Sequence, residues 1–255
     1  MPRGPRFHSE LGLYHVMVRG NGKQIIFESD EDREYYLKKL YFCFKDEGVA
    51  ILSWCLMDNH AHLLVQDEDN TLPTAMARVN GSYAQYFNKK YGHIGHVFQD
   101  RYRCLPINDE RYLLEVVRYI HNNPEDAGLC KAEDYRWSSY HEFMEAPRLV
   151  DTNFILGLLG GRTNFRKLCQ EKSSPKLRLS LEPNPSTEKL LDIAEDVLVP
   201  IVPRSISTLP RSERNRCLRK LHDAGFSLRQ IERITGIGRG TIVYVTQQSE
   251  DGDDF

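Results

Sequence analysis

The sequence predicts an α+β fold: a strand-helix-strand-strand-helix-strand core with one further helix, then a small all-α unit. Three observations predict it. Strand-like and helix-like runs follow one another in that order over residues 11–123. The second and third strands are separated only by Asp58-Asn59, as in a tight hairpin. Beyond residue 200 the chain holds three short helical runs broken at Gly225 and Gly236.

Each element has a local reason. "LGLYHVMVRGN" (11–21) reads as the first strand, and "EDREYYLKKLYFCFKDEG" (31–48) as the first helix. Ser29 or Asp30 can cap that helix and Gly48 can end it. "VAILSWCLM" (49–57) and "HAHLLVQD" (60–67) are the hairpin strands. "LPTAMARVNGSYAQYFNKKYG" (72–92) is a second helix, with Thr71 as its expected cap. A Gly/His loop leads into a fourth strand near 101–107. "DERYLLEVVRYIHNNPEDAG" opens at a cap, Asn108, and runs helical to about Asn123. There Pro124 disfavours helical backbone in the residue before it. The order is that of the split βαβ, ferredoxin-like fold. Residues 147–172 can hold two short helices, "SSPKLRLSLEPNPST" (173–187) reads as a linker, and "EKLLDIAEDVL" (188–198) as a helix. "RSERNRCLRKLHDAG", "SLRQIERITG" and "GRGTIVYVTQ" then resemble a tri-helical helix-turn-helix, the last in the recognition position. The expected organisation is an α+β domain over 1–145, a helical connector and linker over 146–200, a helix-turn-helix unit over 201–249 and an acidic tail over 250–255.

Composition narrows the classes. A chain of 255 residues can bury one large core or two smaller ones. It has no run of eighteen apolar residues, so no membrane span is expected. The opening "MPRGPRFHSELG" has no apolar signal core. The six cysteines, at 43, 55, 104, 130, 169 and 217, form no CxxC pair. A cytoplasmic, reduced protein without a cysteine-zinc site is the expectation. The net charge of −2 conceals a gradient: residues 201–249 hold 9 Lys/Arg and 3 Asp/Glu, a balance of +6. A basic C-terminal block is the usual footprint of nucleic-acid contact, although a solvated helix face gives the same count.

The chemistry begins at "MDNHAHLLV". Residues two apart on a strand share a face, so His60 and His62 project together, their Cα atoms roughly 6.5–7 Å apart. Two imidazoles at that spacing can converge on one cation, but the pair also fits one surface and one core histidine. On helix 109–123, Tyr119 and Asn123 are i and i+4 neighbours. Among all tyrosines only Tyr119 (with Asn123) and Tyr244 (with Gln248) have a metal-capable side chain at i+4. Tyr112 with Glu115 at i+3 is the runner-up. From spacing alone, Tyr119 reads first as an amphipathic residue at the edge of a core, the commoner fate of a helical tyrosine.

Five linked segments, "YHVMVRGN", "MDNHAHLLV", "GHVFQDRYR", "LLEVVRYIHNNPEDAGL" and "YRWSSY", resemble matching segments of the single-tyrosine transposases of the HUH endonuclease superfamily. The REP-associated tyrosine transposases are the nearest likeness, over about residues 8–145. The resemblance implies that Tyr119 is the nucleophile and that His60, His62 and Asn123 hold a divalent metal. Asn123 departs from the Gln found there in related insertion-sequence transposases, and Ala61 is smaller than the usual hydrophobe. The mixed N/O donor set suits Mg²⁺ or Mn²⁺. The implied function is metal-dependent cleavage and strand transfer of single-stranded, hairpin-forming DNA through a 5′-phosphotyrosine.

Other residues are candidates on position. His15 and Arg19 share a strand face and could contact the phosphate or orient a metal ligand, Glu115 lies beside Tyr119, and Arg101 and Arg103 could grip a DNA backbone. Arg239 opens the expected recognition helix, which would give duplex DNA as a further partner. His121 is placed on the solvent side of its helix, and His93 and His96 look ligand-like in isolation. Tyr83, Tyr86, Phe87, Lys89, Lys90 and Tyr91 could line a single-strand groove, although at helical spacing most of these aromatics read as core. Three alternatives stay open: a non-catalytic regulator descended from a transposase, an HUH replication initiator, and an RNA-binding ferredoxin-like domain. No membrane partner is expected, and the chain is a monomer or homodimer.

Overall fold

A computed structural model describes residues 8–181 and 185–247. Gln248 and the expected acidic tail, 250–255, lie outside the described residues. The chain forms two compact units, Met1–Lys172 and Ser173–Phe255, each with its own core.

The first unit is α+β. Its antiparallel sheet has the order β2 (Ala50–Met57), β3 (His60–Gln66), β1 (Leu13–Arg19), β4 (Arg103–Ile107). β1 is therefore central and next to β3, as the split βαβ order requires. Its register places His15 opposite Leu64, Met17 opposite His62 and Arg19 opposite His60. Cross-strand partners share a face, so β1 and β3 build one polar patch together. The other face carries Val16, Val18, Ala61, Leu63 and Val65, all buried under α1 (Asp30–Asp46) and α2 (Leu72–Tyr91). Pro106 sits in β4, an edge strand, where the missing N–H costs no ladder bond.

Local chemistry corrects several sequence expectations. Ser29 does cap α1, and Asp32 accepts the N–H groups of Glu28 and Ser29, each at 2.9 Å. At α2, Thr71 occupies the cap position, but the Asp67 carboxylate does the capping, accepting from Thr71 and Leu72 N–H at 3.0 Å. The further helix, α3 (Glu110–Asp126), is capped by Asp109, which accepts from Tyr112 N–H at 2.7 Å; Asn108 instead accepts from Glu10 N–H at 3.1 Å. Nor does α3 stop at Asn123. Pro124 falls in the last turn, where only one helical bond is forfeited, and Ala127 N–H still closes onto the Asn123 carbonyl at 3.1 Å.

The expected connector over 146–200 divides between the two units. α4 (Tyr140–Met144), α5 (Thr152–Leu159) and α6 (Arg162–Gln170) belong to the first; α4 and α6 cover the outer side of α3, and α5 packs against them and β2. The linker reading of 173–187 fails in part, because Pro175–Leu181 is a helix, α7. Pro175 opens that helix, and Leu177, Leu179 and Leu181 are buried. Arg178, also buried, ties α7 to α8 (Thr187–Leu198) through Asp192 and Asp196. The second unit continues with α9 (Arg211–Asp223), α10 (Leu228–Thr235) and α11 (Arg239–Gln247). Leu190, Ile193, Leu218, Leu221, Phe226, Ile231 and Ile242 form its core. Among the described residues no helix is long and apolar enough to cross a membrane.

Candidate active site

The sheet alternation and α3 meet at four side chains. His60 and His62 leave β3 on the face that α3 covers, and α3 brings Tyr119 and Asn123 to them. The His60 and His62 rings lie 5.0 Å apart at 89°, and Tyr119 sits edge-on to His62 at 5.2 Å. His60 Nε2 is 3.0 Å from Asn123 Oδ1, and its Nδ1 is 2.6 Å from Asn59 Oδ1.

That last pair tests the site for a metal. A neutral His60 donating through Nδ1 to Asn59 presents the lone pair of Nε2 to Asn123 Oδ1. Two acceptors then face each other at 3.0 Å, while the Asn123 amide nitrogen is buried with no hydrogen-bond partner. A cation between the acceptors would relieve this conflict, as would an Asn123 amide turned so that Nδ2 donates to His60 Nε2. The two nitrogen and oxygen donors would suit a divalent cation such as Mg²⁺ or Mn²⁺. Among the described residues no group of three His, Cys, Asp or Glu could hold a metal ion. The candidate set is two imidazoles and an amide oxygen.

His15 stands behind His62. Its Nε2 lies 3.0 Å from His62 Nδ1, and its ring approaches Tyr119 edge-on at 6.1 Å. Complete burial, then the positive charge of Arg103, lowers the His15 pKa to about 3, so the ring is neutral. A neutral His15 can accept the His62 Nδ1 proton, which leaves the His62 Nε2 lone pair for a ligand.

The remaining candidates separate. Arg19 ends β1 opposite His60, and Arg103 opens β4 opposite Met17, so both lie on the site face. Arg101 is not on the fourth strand. The strand begins at Arg103, and Arg101 lines a cavity of about 950 Å³ on the far side of the sheet, with Met76, Asn80, Phe98 and Tyr102. Glu115 pairs with Arg118 at 3.4 Å. His93 bonds Asn88 at 2.9 Å, away from the site. Tyr83 and Phe87 are core residues, while Lys90, Tyr86 and Tyr91 all bond Asp32 rather than lining a groove.

His121 overturns its expectation. It is fully buried, because α4 and α6 cover the side of α3 that was read as solvent. Its Nε2 lies 2.8 Å from Ser139 Oγ, its Nδ1 2.8 Å from Val117 O, and Phe143 and Phe165 stand edge-on. Ser139 in turn accepts Trp54 N–H at 2.9 Å on edge strand β2. Desolvation lowers the His121 pKa to about 4. Sequence reading missed this anchor of α3. Its one signal was "YRWSSY", whose Ser139 completes the link.

Comparison with known proteins gives a match over part of the chain. Residues 9–123 match the family model described as IS200-like transposase. A REP-associated tyrosine transposase bound to a REP hairpin is similar at a TM-score of 0.49 and 17% identity, over 60% of this chain and 90% of that one. A chain from Deinococcus radiodurans R1, assigned as a transposase, is similar at 0.34 and 19%, over 48% and 97%. No curated protein matches.

Proposed function

We propose that the chain, whose residues 9–123 match the model of the IS200-like transposases, is an enzyme of that kind and that Tyr119 cleaves and rejoins single-stranded, hairpin-forming DNA. The observation that carries the reading is the convergence of Tyr119 with His62 at 5.2 Å and of His60 with Asn123 at 3.0 Å, from one strand and one helix.

The Tyr119 phenolic oxygen attacks the scissile phosphorus. A bond from that oxygen to phosphorus forms, the bond to the 3′-oxygen breaks, and the phenolic proton is released as the 3′-oxygen takes one up. The products are a 5′-phosphotyrosine and a free 3′-hydroxyl. Attack by another 3′-hydroxyl reverses the step, so no ATP is needed. A divalent Mg²⁺ or Mn²⁺ held by His60, His62 and Asn123 would supply Lewis-acid polarisation of a non-bridging phosphate oxygen. His15 holds His62 in the tautomer that leaves Nε2 as a ligand. Arg19 and Arg103 flank the patch and offer guanidinium groups to the DNA backbone, while Glu115 pairs with Arg118 along the tyrosine helix itself.

The test uses purified protein, a pool of labelled single-stranded hairpins and Mn²⁺ or Mg²⁺, read on a denaturing gel and by mass spectrometry. The expected result is a DNA adduct on the Tyr119 peptide, absent with chelator and in Tyr119→Phe. Tight DNA binding without any adduct would sink the reading in favour of a non-catalytic regulator.

A further inference from the structure

The second unit contains a surface that the tyrosine chemistry does not use. α10 ends at Gly236, whose φ of +72 suits glycine. Ile237 is buried in the turn, and α11 begins at Arg239. Ile231, Ile234 and Thr235 of α10 and Ile242 and Val245 of α11 face the core. The opposite side of α11, Arg239, Gly240, Thr241 and Tyr244, is exposed. Tyr244 is 53% exposed, an unusual place for a large aromatic.

Charge and shape at this face agree on one partner. Between residues 226 and 247 the only carboxylate is Glu232, and it holds Arg239 across the turn at 2.9 Å. Arg211 and Arg214 at the start of α9 share a cavity of about 320 Å³ with Gly240, Thr241 and Tyr244 of α11. Cations thus flank the exposed side of a short helix. The two glycines at its entrance, Gly238 and Gly240, are not needed by the fold. Neither has a positive φ, and a Cβ at either would meet nothing within 4 Å. Their effect is to leave bare backbone where α11 begins, room for a close neighbour.

We propose that this face reads duplex DNA, with α11 in the major groove. Arg239, Thr241 and Tyr244 contact base edges, and Arg211 and Arg214 bind phosphates. A helix about 10–12 Å across fits a groove about 12 Å wide. The site is separate from Tyr119 and takes a different form of DNA, so the two readings stand or fall independently.

The experiment is a selection from random duplexes by the full chain carrying Tyr119→Phe, so that no cleavage enters the readout. Enriched duplexes are then titrated at several salt concentrations. The expected result is a defined enriched sequence, bound about tenfold or more tightly than a scrambled one. Arg239→Ala/Thr241→Ala/Tyr244→Ala should abolish that preference with an unchanged melting curve. Arg211→Gln/Arg214→Gln should weaken both duplexes alike and reduce the salt slope by about 2. A random pool that yields no enriched sequence would overturn the proposal, as would the same enrichment in the triple α11 variant.

Discussion

His15 shows how one buried side chain can serve chemistry it does not perform. Its ring is fully buried against His62, so its replacement should loosen a proposed ligand without removing one. His15→Phe is expected to fold and to lower metal affinity or adduct formation about 10–100-fold. Metal titration of the adduct yield checks this, and an unshifted metal dependence would make His15 a packing residue only. Asp32 is the structural counterpart. Burial alone would raise its pKa, but hydrogen bonds from Lys90, Tyr91, the Ser29 backbone and Tyr86 prevail and lower it. Because the folded pKa is the lower one, the stability that Asp32 contributes is complete above the unfolded value near 4 and is lost as pH falls through the folded value. Asp32→Ala should destabilise the fold by about 1–3 kcal/mol at pH 7, since it removes the acceptor of the Glu28, Ser29, Tyr86 and Tyr91 bonds, while Lys90 keeps Glu31 at 2.8 Å. Denaturant melts at pH 7 and pH 3 should show the gap between wild type and variant narrowing in acid.

At the scale of the element, α3 carries Tyr119, the proposed nucleophile, on one side and an anchor on the other. That anchor is His121, which the Ser139 hydroxyl links to Trp54 on β2. His121→Phe should therefore lower the rate of adduct formation more than it lowers DNA affinity, because it disturbs where Tyr119 stands and leaves the DNA-facing cations alone. Equal losses in rate and affinity would contradict this role. Much of the site was legible in the sequence, and for a physical reason. Period two on β3 pairs His60 with His62, and period 3.6 on α3 pairs Tyr119 with Asn123, so the two pairs are local facts. What brings them together is not local. The His15 contact depends on β1 lying beside β3, which the split βαβ order predicts. His121 was misread because the covering helices, α4 and α6, lie in a stretch with weak periodicity. Pro124 was over-weighted as a stop, because one lost bond in a final turn is a small penalty for a helix held on both sides.

The whole molecule is two cores on one chain. Residues 1–172 contain the complete sheet, α3 and every helix that covers it. That segment alone is expected to fold cooperatively and to form the tyrosine adduct. Calorimetry of the full chain should show two transitions, one of which the 1–172 fragment reproduces. A fragment that aggregates, with one transition for the full chain, would refute this independence. The sequence placed the boundary less well than the elements, because a proline-rich stretch that looked like a linker holds the buried helix α7. The peptide bond between residues 172 and 173 also has a kinetic meaning. Once either unit is held on DNA, the other is confined to a small volume around the same place, at an effective concentration that for short links reaches the millimolar range. Under the two proposals, a weak grip by the first unit would then suffice close to a sequence held by the second unit and fail everywhere else. Where on a chromosome the tyrosine acts would be decided by the tether as much as by the site.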